Sequence, residues 1–407
     1  MIDKVEKKDC AGCGACAAVC PGKALTLRED ADGFRYPVCD PSRCVDCSLC
    51  EEACPVLHAP ERKEPETVWA ACASEDRIRM RAASGGAFTA LAETFLSKGG
   101  AAYGCAMEFD RKRDKDGKER LRVCLRHVRA ADPGELAALG GSKYAQSRTE
   151  EAYVHVLHDL KDGRDVLFSG TPCQCAGLRQ YLTAKRADQS RLYLADILCH
   201  GVPSEKMFRL YLRYLGRKHH GEVTAYQFRD KERGFTYFPK YRIRRGEKEK
   251  WEELSTMEEG YWYIFQHALA NRENCYRCPY ASTERTGDLT LGDYWGIEQA
   301  HPELLTESGG PLPREKGVSL VLANTPKGRK LLQDCGEKLI LCGSTLEKAL
   351  VRGDALKHPS AEPPERPQVL AALREGYAGA AGYVRKAMGA GYYKSVLKEK
   401  AGRVLHR

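Results

Sequence analysis

The chain has 407 residues, enough for two or three domains with a sizeable core. Its 65 basic and 56 acidic residues give a net charge of +9, and a mean hydropathy of −0.51 argues against a transmembrane segment. The 19 cysteines are too diluted along the chain for a secreted disulfide scaffold. Residues 1–8 are charged and carry no apolar signal segment, so we expect a cytoplasmic protein with reduced thiols.

The basic residues are spread along the chain, with local clusters at residues 111–120, 242–250 and 385–407. Such clusters either form a solvated surface or attract an acidic partner, such as an anionic cofactor or an acidic electron carrier. No nucleic-acid-binding motif accompanies them, so we expect no nucleic-acid partner.

Two segments near the start share the pattern C-x-x-C-x-x-C-x-x-x-C-P, from Cys10 to Pro21 and from Cys44 to Pro55. Bacterial ferredoxins hold [4Fe–4S] clusters with this run, and the fourth cysteine of each run ligates the neighbouring cluster. The alternatives are disulfides or zinc, but zinc takes four ligands rather than eight in two identical runs. The expected ligand sets are Cys10, Cys13, Cys16 and Cys54 for one cluster, and Cys44, Cys47, Cys50 and Cys20 for the other.

Between the two runs, residues 24–27 and 34–37 predict short strands around an Asp32-Gly33 turn. This hairpin would cover one side of the clusters. We therefore expect residues 1–58 to form a 2x[4Fe–4S] ferredoxin-type domain, and residues 59–66, with two prolines among charges, to form a linker.

From residue 67 the hydrophobic pattern becomes that of an ordinary globular domain, and it predicts both strands and helices. The expected strands are 68–73, 101–109, 121–128, 166–168, 192–198, 223–229, 235–243 and 317–323, with a hairpin tip at 111–118. The expected helices are 87–98, 147–162 with a capping box at its start, a helix to 182, 204–217, 257–270 and 327–339.

The segment from residue 166 to residue 198 reads strand–loop–helix–strand, which predicts that part of the sheet is parallel. The predicted fold class combines α+β and α/β. It consists of an N-terminal dicluster ferredoxin-like domain, a mixed-sheet α/β flavin-binding domain over residues 67–355, and a short basic helical C-terminal tail over residues 368–407.

Two glycine-containing turns precede predicted helices and could bind a cofactor phosphate. Ser84-Gly85-Gly86 leads into a helix whose first N–H groups and positive dipole end favour an anion, although a plain helix cap is the alternative. Gly170-Thr171 follows a buried strand, at the carboxyl end where ligands gather in open α/β sheets.

Several motifs come in one order along the chain, and together they resemble the coenzyme F-420 hydrogenase/dehydrogenase beta-subunit family over roughly residues 5–355. Members of this family are flavoproteins with iron–sulfur clusters, so the resemblance implies FAD. The implied flavin site comprises Ser84, Gly85, Gly86, Thr89, Ser142, Lys143 and Tyr144. The motifs are Ser84-Gly85-Gly86 with Thr89, Gly141-Ser142-Lys143-Tyr144, Phe168 to Gln174, Cys199 to Ser204, Cys275-x-x-Cys278 and Gly292-Asp293-Tyr294-Trp295-Gly296.

A third [4Fe–4S] cluster is expected inside the flavin domain. Cys275 and Cys278 supply two thiolates, although a C-x-x-C alone could be a redox dithiol or two thiols in a turn. Cys173 and Cys199 each follow a predicted strand, so both would emerge at one edge if those strands are parallel neighbours. Family members commonly hold a cluster with the cysteines of these segments, and this resemblance adds to the pattern.

Two residues are candidate catalytic groups. Lys143 would lie near the flavin, unless it is a surface lysine. His200 would donate a proton to a substrate, unless it is a structural histidine. The remaining cysteines have no ligand spacing and are expected to be packing residues. They are Cys39, Cys72, Cys105, Cys124, Cys175, Cys335 and Cys342.

These parts predict an oxidoreductase that passes electrons between a ferredoxin-like one-electron carrier and a two-electron acceptor, with FAD as the converter. Two alternatives remain: a non-catalytic electron-transfer subunit of a larger redox complex, and a biosynthetic reductase of a bound metabolite. Whether the acceptor is a deazaflavin or another small molecule does not follow from the sequence.

Overall fold

The computed structural model describes residues 2–113, 117, 119–232, 234–235, 239–254, 260–391, 393–394 and 397. The strands are β1 Leu25–Glu29, β2 Arg35–Cys39, β3 Thr67–Ala73, β4 Ala101–Arg113, β5 Glu119–Ala130, β6 Val166–Gly170, β7 Leu192–Ile197, β8 Glu222–Gln227, β9 Lys240–Arg245, β10 Lys248–Glu253, β11 Leu289–Asp293, β12 Ser319–Ala323 and β13 Leu339–Ser344. The helices are α1 Ala15–Val19, α2 Leu49–Glu52, α3 Asp76–Arg81, α4 Ala87–Ser97, α5 Pro133–Leu139, α6 Glu150–Lys161, α7 Pro172–Ala184, α8 Glu205–Lys218, α9 Tyr261–Gln266, α10 Ile297–Ala300, α11 Pro326–Asp334, α12 Leu346–Ala349, α13 Arg366–Glu375 and α14 Tyr377–Met388.

The largest sheet in the described residues has eight strands in the order β13-β3-β12-β11-β7-β6-β4-β5. Its centre is parallel, with β4 beside β6, β6 beside β7 and β7 beside β11. The flanking strands pair antiparallel. The mixed α/β sheet expected from the sequence is confirmed, and α7 is the crossover that lets β6 and β7 run parallel.

Helices cover both faces of the parallel strands, which explains the continuous apolar sequence of those strands. Successive residues of β6 point to opposite faces. Leu167 packs in one core with α4, α5 and α11, whereas Val166 and Phe168 pack in another with α6, α7 and α1. Since α1 belongs to the first cysteine run, the N-terminal region shares a core with the large sheet.

The predicted basic tail over residues 368–407 is in its described part a pair of helices, α13 and α14, that contributes to a core. Val369, Leu373, Tyr377 and Val384 are buried against α8, α9 and the small antiparallel sheet β10-β9-β8. The Tyr377 ring lies 5.0 Å from the ring of Tyr211 in α8. Residues 398–407 of the predicted tail lie outside the described residues.

Several predicted boundaries are wrong for reasons visible in the packing. The capping box at residues 147–150 does not form, because α6 begins at Glu150 and the Ser147 hydroxyl accepts from Gln174 Nε2 at 3.0 Å. Thr149, at the start of α6, donates its hydroxyl to the Cys13 carbonyl at 2.6 Å. The helix expected over residues 327–339 stops at Asp334, since Leu339 begins β13 beside β3. β4 continues to Arg113, and part of the expected hairpin tip lies outside the described residues.

The elements that the sequence patterns missed include β11 of the large sheet as well as α3, α5, β10 and β13. The hairpin between the cysteine runs does form, as β1 paired with β2 around the Asp32-Gly33 turn. Across the part of the chain that the structure describes, no helix combines the length and apolarity that crossing a bilayer requires.

Candidate iron–sulfur and flavin sites

The loop of the first cysteine run is buried and passes through left-handed conformations at Gly12 and Gly14, with φ of 64° and 82°. Burial raises the pKa of the Cys16 thiol well above its ordinary value, and the charges of Cys10 and Cys54 add to the rise. The structure therefore brings this run and Cys54 together, as the first expected ligand set requires.

The second run follows the same path but is exposed to solvent. Its left-handed residues are Asp46 and Ser48, with φ of 47° and 60°, and Val45 is 69% exposed. One cavity is lined by the second expected ligand set, Cys20, Cys44, Cys47 and Cys50, together with Cys39.

Cys39 was expected to be a packing residue; it packs against the small core of Ile2, Leu25 and Cys54, and it also lines this cavity. Burial is the largest cause that raises the pKa of the Cys39 thiol, and a hydrogen bond with Cys44 is the next. Among the other expected packing cysteines, Cys72, Cys175 and Cys335 are buried.

Polar contacts hold the first run against the large sheet. The fully buried Arg272 donates from Nε to the Cys10 carbonyl at 2.7 Å. Gln146 Nε2 donates to the Gly12 carbonyl at 3.3 Å, and Arg35 pairs with Glu150 at 2.5 Å. Because Arg272 and Gln146 meet backbone carbonyls of the cysteine loop, they fix the position of the first run relative to the sheet.

Four cysteines of the large domain meet at one edge of the sheet. Cys173 lies in the first turn of α7 directly after β6, and Cys199 follows β7, which is the parallel neighbour of β6. Cys275 lies within a 3₁₀ turn, Glu273–Arg277, and Cys278 directly follows it. A Cβ on Gly201, two residues after Cys199, would lie 3.1 Å from the Cys275 Cβ, which places the turn against the loop after β7.

The electrostatics of these four thiols show that they are neighbours. Burial raises the pKa of Cys275 to about 12, with the charge of Cys173 as the next cause. Burial also raises the pKa of Cys199, and Cys275, Cys173 and Cys278 all add to that rise. The negative charges of these four thiolates repel one another. Iron ions shared by all four would compensate those charges.

Backbone N–H groups also approach these sulfur atoms, as hydrogen bonds to ligand sulfurs do in iron–sulfur proteins. Gly201 N donates to Cys199 Sγ at 3.4 Å, and Ala24 N donates to Cys20 Sγ at 3.3 Å. Within the described residues, no group of three or more His, Cys, Asp or Glu could hold a single metal ion. A cube binds one thiolate at each of its irons, so its ligands spread around it rather than converge on one point.

The first run and the four-cysteine group are adjacent. Gly177 lies one turn after Cys173 in α7, and a Cβ there would lie 2.8 Å from Cys13 Sγ. Tyr280 is buried between the two groups: burial raises its pKa, and the charges of Cys173, Cys13 and Cys278 add to the rise. The two thiol groups are thus separated by about one helical turn and one aromatic ring.

The Ser84-Gly85-Gly86 turn is packed against the antiparallel side of the sheet. A Cβ on Gly85 would lie 2.5 Å from the Ala71 carbonyl, so this position requires glycine whether or not a ligand approaches. Gly86 has φ of 89° and precedes α4, whose first turn takes no side-chain cap. Thr89 lies in that first turn, beside its free N–H groups.

Lys231 holds this turn from the other side, and sequence analysis missed it. Its buried ammonium donates to the Arg79 and Lys316 carbonyls at 2.8 and 2.7 Å and also to the Ser84 carbonyl. Burial lowers the pKa of Lys231 to about 7, and the charge of Arg229 lowers it further.

Lys143 lies at the carboxyl end of α5, where its ammonium donates to the carbonyls of Ala138, Leu139 and Gly140 at 3.1, 3.1 and 2.6 Å. Burial lowers its pKa to about 8. This is a helix-capping position, and the catalytic role stays a prediction. The Tyr144 ring lies 4.5 Å from that of Phe265.

The remaining predicted site residues have structural contacts of their own. Thr171 and Gln174 form a capping box that begins α7, and Thr171 Oγ1 lies 3.2 Å from Cys173 Sγ. Gly170 is buried, with Gln174 Oε1 3.2 Å from where its Cβ would be. The side chain of His200 is exposed, and its backbone carbonyl accepts from Asn271 Nδ2 at 3.1 Å.

Known families match two parts of the chain. Residues 163–348 match the C terminus of the coenzyme F420 hydrogenase/dehydrogenase beta subunit, and residues 9–57 match the 4Fe-4S dicluster domain. This similarity to the coenzyme F420 hydrogenase/dehydrogenase beta subunit covers slightly less than half of the chain. The dicluster match covers all eight cysteines of the two runs, and the beta-subunit match covers the four-cysteine group. The segments at Ser84 and Lys143 lie outside both matches.

Individual relatives match the chain only in part. A subunit of the F(420)H(2) dehydrogenase of Methanosarcina mazei is 23% identical over 49% of this chain and 55% of its own length. A subunit of the Na(+)-translocating ferredoxin:NAD(+) oxidoreductase complex of Acetobacterium woodii is 46% identical over 46 residues, 11% of this chain and 13% of its own. An uncharacterized ferredoxin of Methanocaldococcus jannaschii is 37% identical over 51 residues, 12% of this chain and 65% of its own.

The chain therefore spans between 13% and 65% of the length of these curated relatives. Among solved structures, a chain in the xenon derivative of the F420-reducing [NiFe] hydrogenase complex from Methanosarcina barkeri matches with a TM-score of 0.44 and 15% identity. The match covers 77% of this chain and 94% of that one.

Sequence analysis missed the groups that join the first cysteine run to the large sheet, namely Arg272, Gln146, Thr149 and Gly177. Their only signal in the sequence is proximity along the chain to a motif, such as Arg272 three residues before Cys275. Their contacts cross from the first cysteine run to the large sheet, and no local pattern encodes such a contact.

Proposed function

We propose that the chain is an iron–sulfur flavoprotein oxidoreductase that passes electrons between a one-electron carrier and a two-electron acceptor. The observation that carries the proposal is the four-cysteine group, Cys173, Cys199, Cys275 and Cys278, which lies beside Cys13 of the dicluster domain. Four thiolates with tetrahedral irons make a [4Fe–4S] site. A third cluster there would extend the electron-transfer path that the first two clusters form.

The proposed order of centres follows from exposure. Cys44, Cys47, Cys50 and Cys20 would hold the cluster that exchanges electrons with a ferredoxin-like partner, because their loop is solvent-exposed and Val45 is 69% exposed. Cys10, Cys13, Cys16 and Cys54 would hold the neighbouring cluster, since the charge of Cys50 acts on both Cys16 and Cys54. Cys173, Cys199, Cys275 and Cys278 would hold the third cluster, across Gly177 and Tyr280 from Cys13.

The chain itself binds the clusters, shields them from water and orients them. Tyr280 and Tyr153 are buried beside Cys13, so bulk water does not reach the contact between the dicluster domain and α7. When bound, FAD would supply the exchange between one two-electron step and two one-electron steps.

For FAD we propose a site at the start of α4, formed by Ser84, Gly85, Gly86 and Thr89. The uncapped N–H groups of the first turn and the helix dipole favour a phosphate there. The same proposal assigns Ser142, Lys143 and Tyr144 to the flavin, and Gly170 and Thr171 to its phosphate side.

Substitution of Gly85 cannot test the flavin site, since any Cβ there meets the Ala71 carbonyl. Thr89→Glu is a better test, because a carboxylate in the first turn suits the helix dipole but repels a phosphate. We expect the variant to fold and to lose most of its flavin, whereas Thr89→Gln retains it. Flavin released from anaerobically purified protein is quantified by absorbance and identified by chromatography. Full occupancy in Thr89→Glu would place the flavin elsewhere.

Iron analysis tests the third cluster separately. Three cubes require about twelve irons per chain and two require about eight, from four irons per cube. Cys275→Ser with Cys278→Ser should remove about four irons and change the reduced-state paramagnetic spectrum, while Cys342→Ser, away from the group, should change neither. Unchanged iron in the double variant would rule the third cluster out.

A second candidate function is a non-catalytic electron-transfer subunit of a larger redox complex. The observation in its favour is that two of the relatives are themselves named as subunits of redox enzymes. Tight co-purification with another protein and no turnover by the isolated chain would support it. Steady reduction of a small molecule or deazaflavin by the isolated chain would support the oxidoreductase.

A further inference from the structure

Arg272 is a buried cation without an anionic side chain. The residue is 1% exposed, and no carboxylate among the described residues pairs with it. Its Nε donates to the Cys10 carbonyl at 2.7 Å, and its Nη1 lies 3.1 Å from the Arg35 carbonyl and 3.3 Å from Gln146 Oε1. Its Nη2 is buried and has no hydrogen-bond partner.

Two other buried arginines show the usual arrangement. Arg285 pairs with the buried Asp196 at 2.7 Å, and Arg229 pairs with Asp293 at 2.7 Å. A charge in the interior is strongly destabilising unless an opposite charge compensates it. The unpaired Arg272 therefore indicates an anion that is not an amino-acid side chain.

Arg272 lies between the two thiol groups that are expected to hold anionic clusters. Its side chain contacts the Cys10 carbonyl in the first run, and its own carbonyl accepts the N–H of Cys275 at 2.9 Å. Its position is fixed on both sides, by the Tyr36 ring 4.1 Å from the guanidinium and by the bond from its N–H to the Val202 carbonyl at 2.9 Å.

We propose that Arg272 is a positioning residue that compensates the charge of the two clusters on either side of it and raises their reduction potentials. The inference rests on the proposed third cluster for one of the two centres, whereas the dicluster domain supplies the other. A cube gains negative charge on reduction, so a nearby buried cation stabilises its reduced form. Because Nη2 has no hydrogen-bond partner, it can donate a hydrogen bond to an anionic cluster.

The test is a potentiometric titration of the full-length, cluster-loaded protein, followed by electron paramagnetic resonance. Arg272→Met keeps the stem of the side chain and removes its charge. We expect unchanged iron content and a shift of both neighbouring clusters to more negative midpoint potentials, with the exposed cluster of the second run much less affected. Arg272→Lys restores the charge and should return both potentials most of the way.

Arg366→Met is the matched control. Arg366 also donates to this segment, at the Asn271 carbonyl, and also lies over a tyrosine ring, but it pairs with Glu362 at 3.3 Å. It should leave the potentials unchanged. Equal potentials in Arg272→Met, Arg272→Lys and the native protein would overturn the proposal and leave Arg272 a structural role only.

Gln146→Glu keeps the proposal testable if Arg272→Met does not fold. It provides Arg272 with a carboxylate partner and so cancels the cation without removing it. The same negative shift of the neighbouring potentials is expected, and its absence would refute the charge effect. If iron analysis finds about eight irons, from four per cube, only the proposal of a third cluster is refuted. The midpoint potential of the cluster held by Cys10 then still decides the role of Arg272.

Discussion

The two cysteine runs have identical spacing and the same backbone path but opposite surroundings. Left-handed φ angles occur at equivalent positions, Gly12 and Gly14 in the first run and Asp46 and Ser48 in the second. The first run is buried against the large sheet, whereas the side chains of residues 45–48 are exposed. Both runs therefore share the left-handed turns, and this backbone path does not by itself require glycine.

Packing is what makes glycine necessary in the first run. A Cβ on Gly12 would lie 2.6 Å from Gln146 Nε2 and 2.8 Å from the Arg272 guanidinium carbon, and one on Gly14 would lie 2.8 Å from Glu150 Cγ. Asp46 tolerates the same φ because aspartate accepts left-handed backbone more readily than most residues and has room in solvent. Glycine at these positions is therefore found in the run that packs against the rest of the protein.

The largest effect is expected from Gly12→Ala, which places a methyl group in the tight contact with Gln146 and Arg272. Overpacking of this kind and the left-handed φ together should cost about 2–4 kcal/mol. Anaerobic thermal unfolding and iron content measure it. The matched variant Asp46→Ala should lose at most about 1 kcal/mol, since aspartate already has this φ and alanine only accepts it less readily. Similar losses in both variants would contradict the comparison.

A smaller effect of unusual sign is expected from Gly177→Ala in α7. Alanine normally stabilises a helix interior by about 1 kcal/mol relative to glycine. Here the Cβ would lie 2.8 Å from Cys13 Sγ and 3.0 Å from the Tyr153 hydroxyl. We expect a net loss of about 1–3 kcal/mol and lower iron content. Gly382→Ala in α14, with 3.7 Å to its nearest atom, should instead be neutral or stabilising.

Thr149→Val should have an effect of about 1 kcal/mol, the net value of one hydrogen bond. The substitution keeps the shape of the side chain and removes the hydroxyl that donates to the Cys13 carbonyl at 2.6 Å. Thr183→Val is the control, since its hydroxyl donates to the Arg179 carbonyl at an exposed position. Denaturant unfolding compares the two. A larger loss for Thr183→Val would mean that the contact with the first run contributes little.

The smallest effect is expected from Asp46→Gly. Glycine relieves the left-handed strain at the exposed second run, but it also makes the unfolded chain more flexible, so the net gain should stay below about 1 kcal/mol. Thermal unfolding measures it, with iron content as the check on cluster loading. A loss of more than that amount would show that the Asp46 side chain has a role beyond tolerating its φ angle.

The sequence by itself determined what is local. The two cysteine runs follow from ligand spacing along one loop, and the parallel pairing of β6 with β7 follows from a strand–helix–strand pattern. The same pattern placed Cys173 and Cys199 at one edge of the sheet. These inferences work because ligand spacing and hydrophobic periodicity act over a few residues, where the chain's geometry is fixed by short-range sterics.

Only the tertiary structure decided which run is docked and what lies between the thiol groups. The capping box predicted at Ser147 does not form, Thr149 at the start of α6 donates to the Cys13 carbonyl, and the predicted tail at residues 368–407 contributes α13 and α14 to a core. Arg272, Gln146 and Gly177 meet the first run across more than 100 residues of chain. Such contacts depend on which surfaces the folded elements bring together, and that choice is made by the summed burial of many residues rather than by any local pattern.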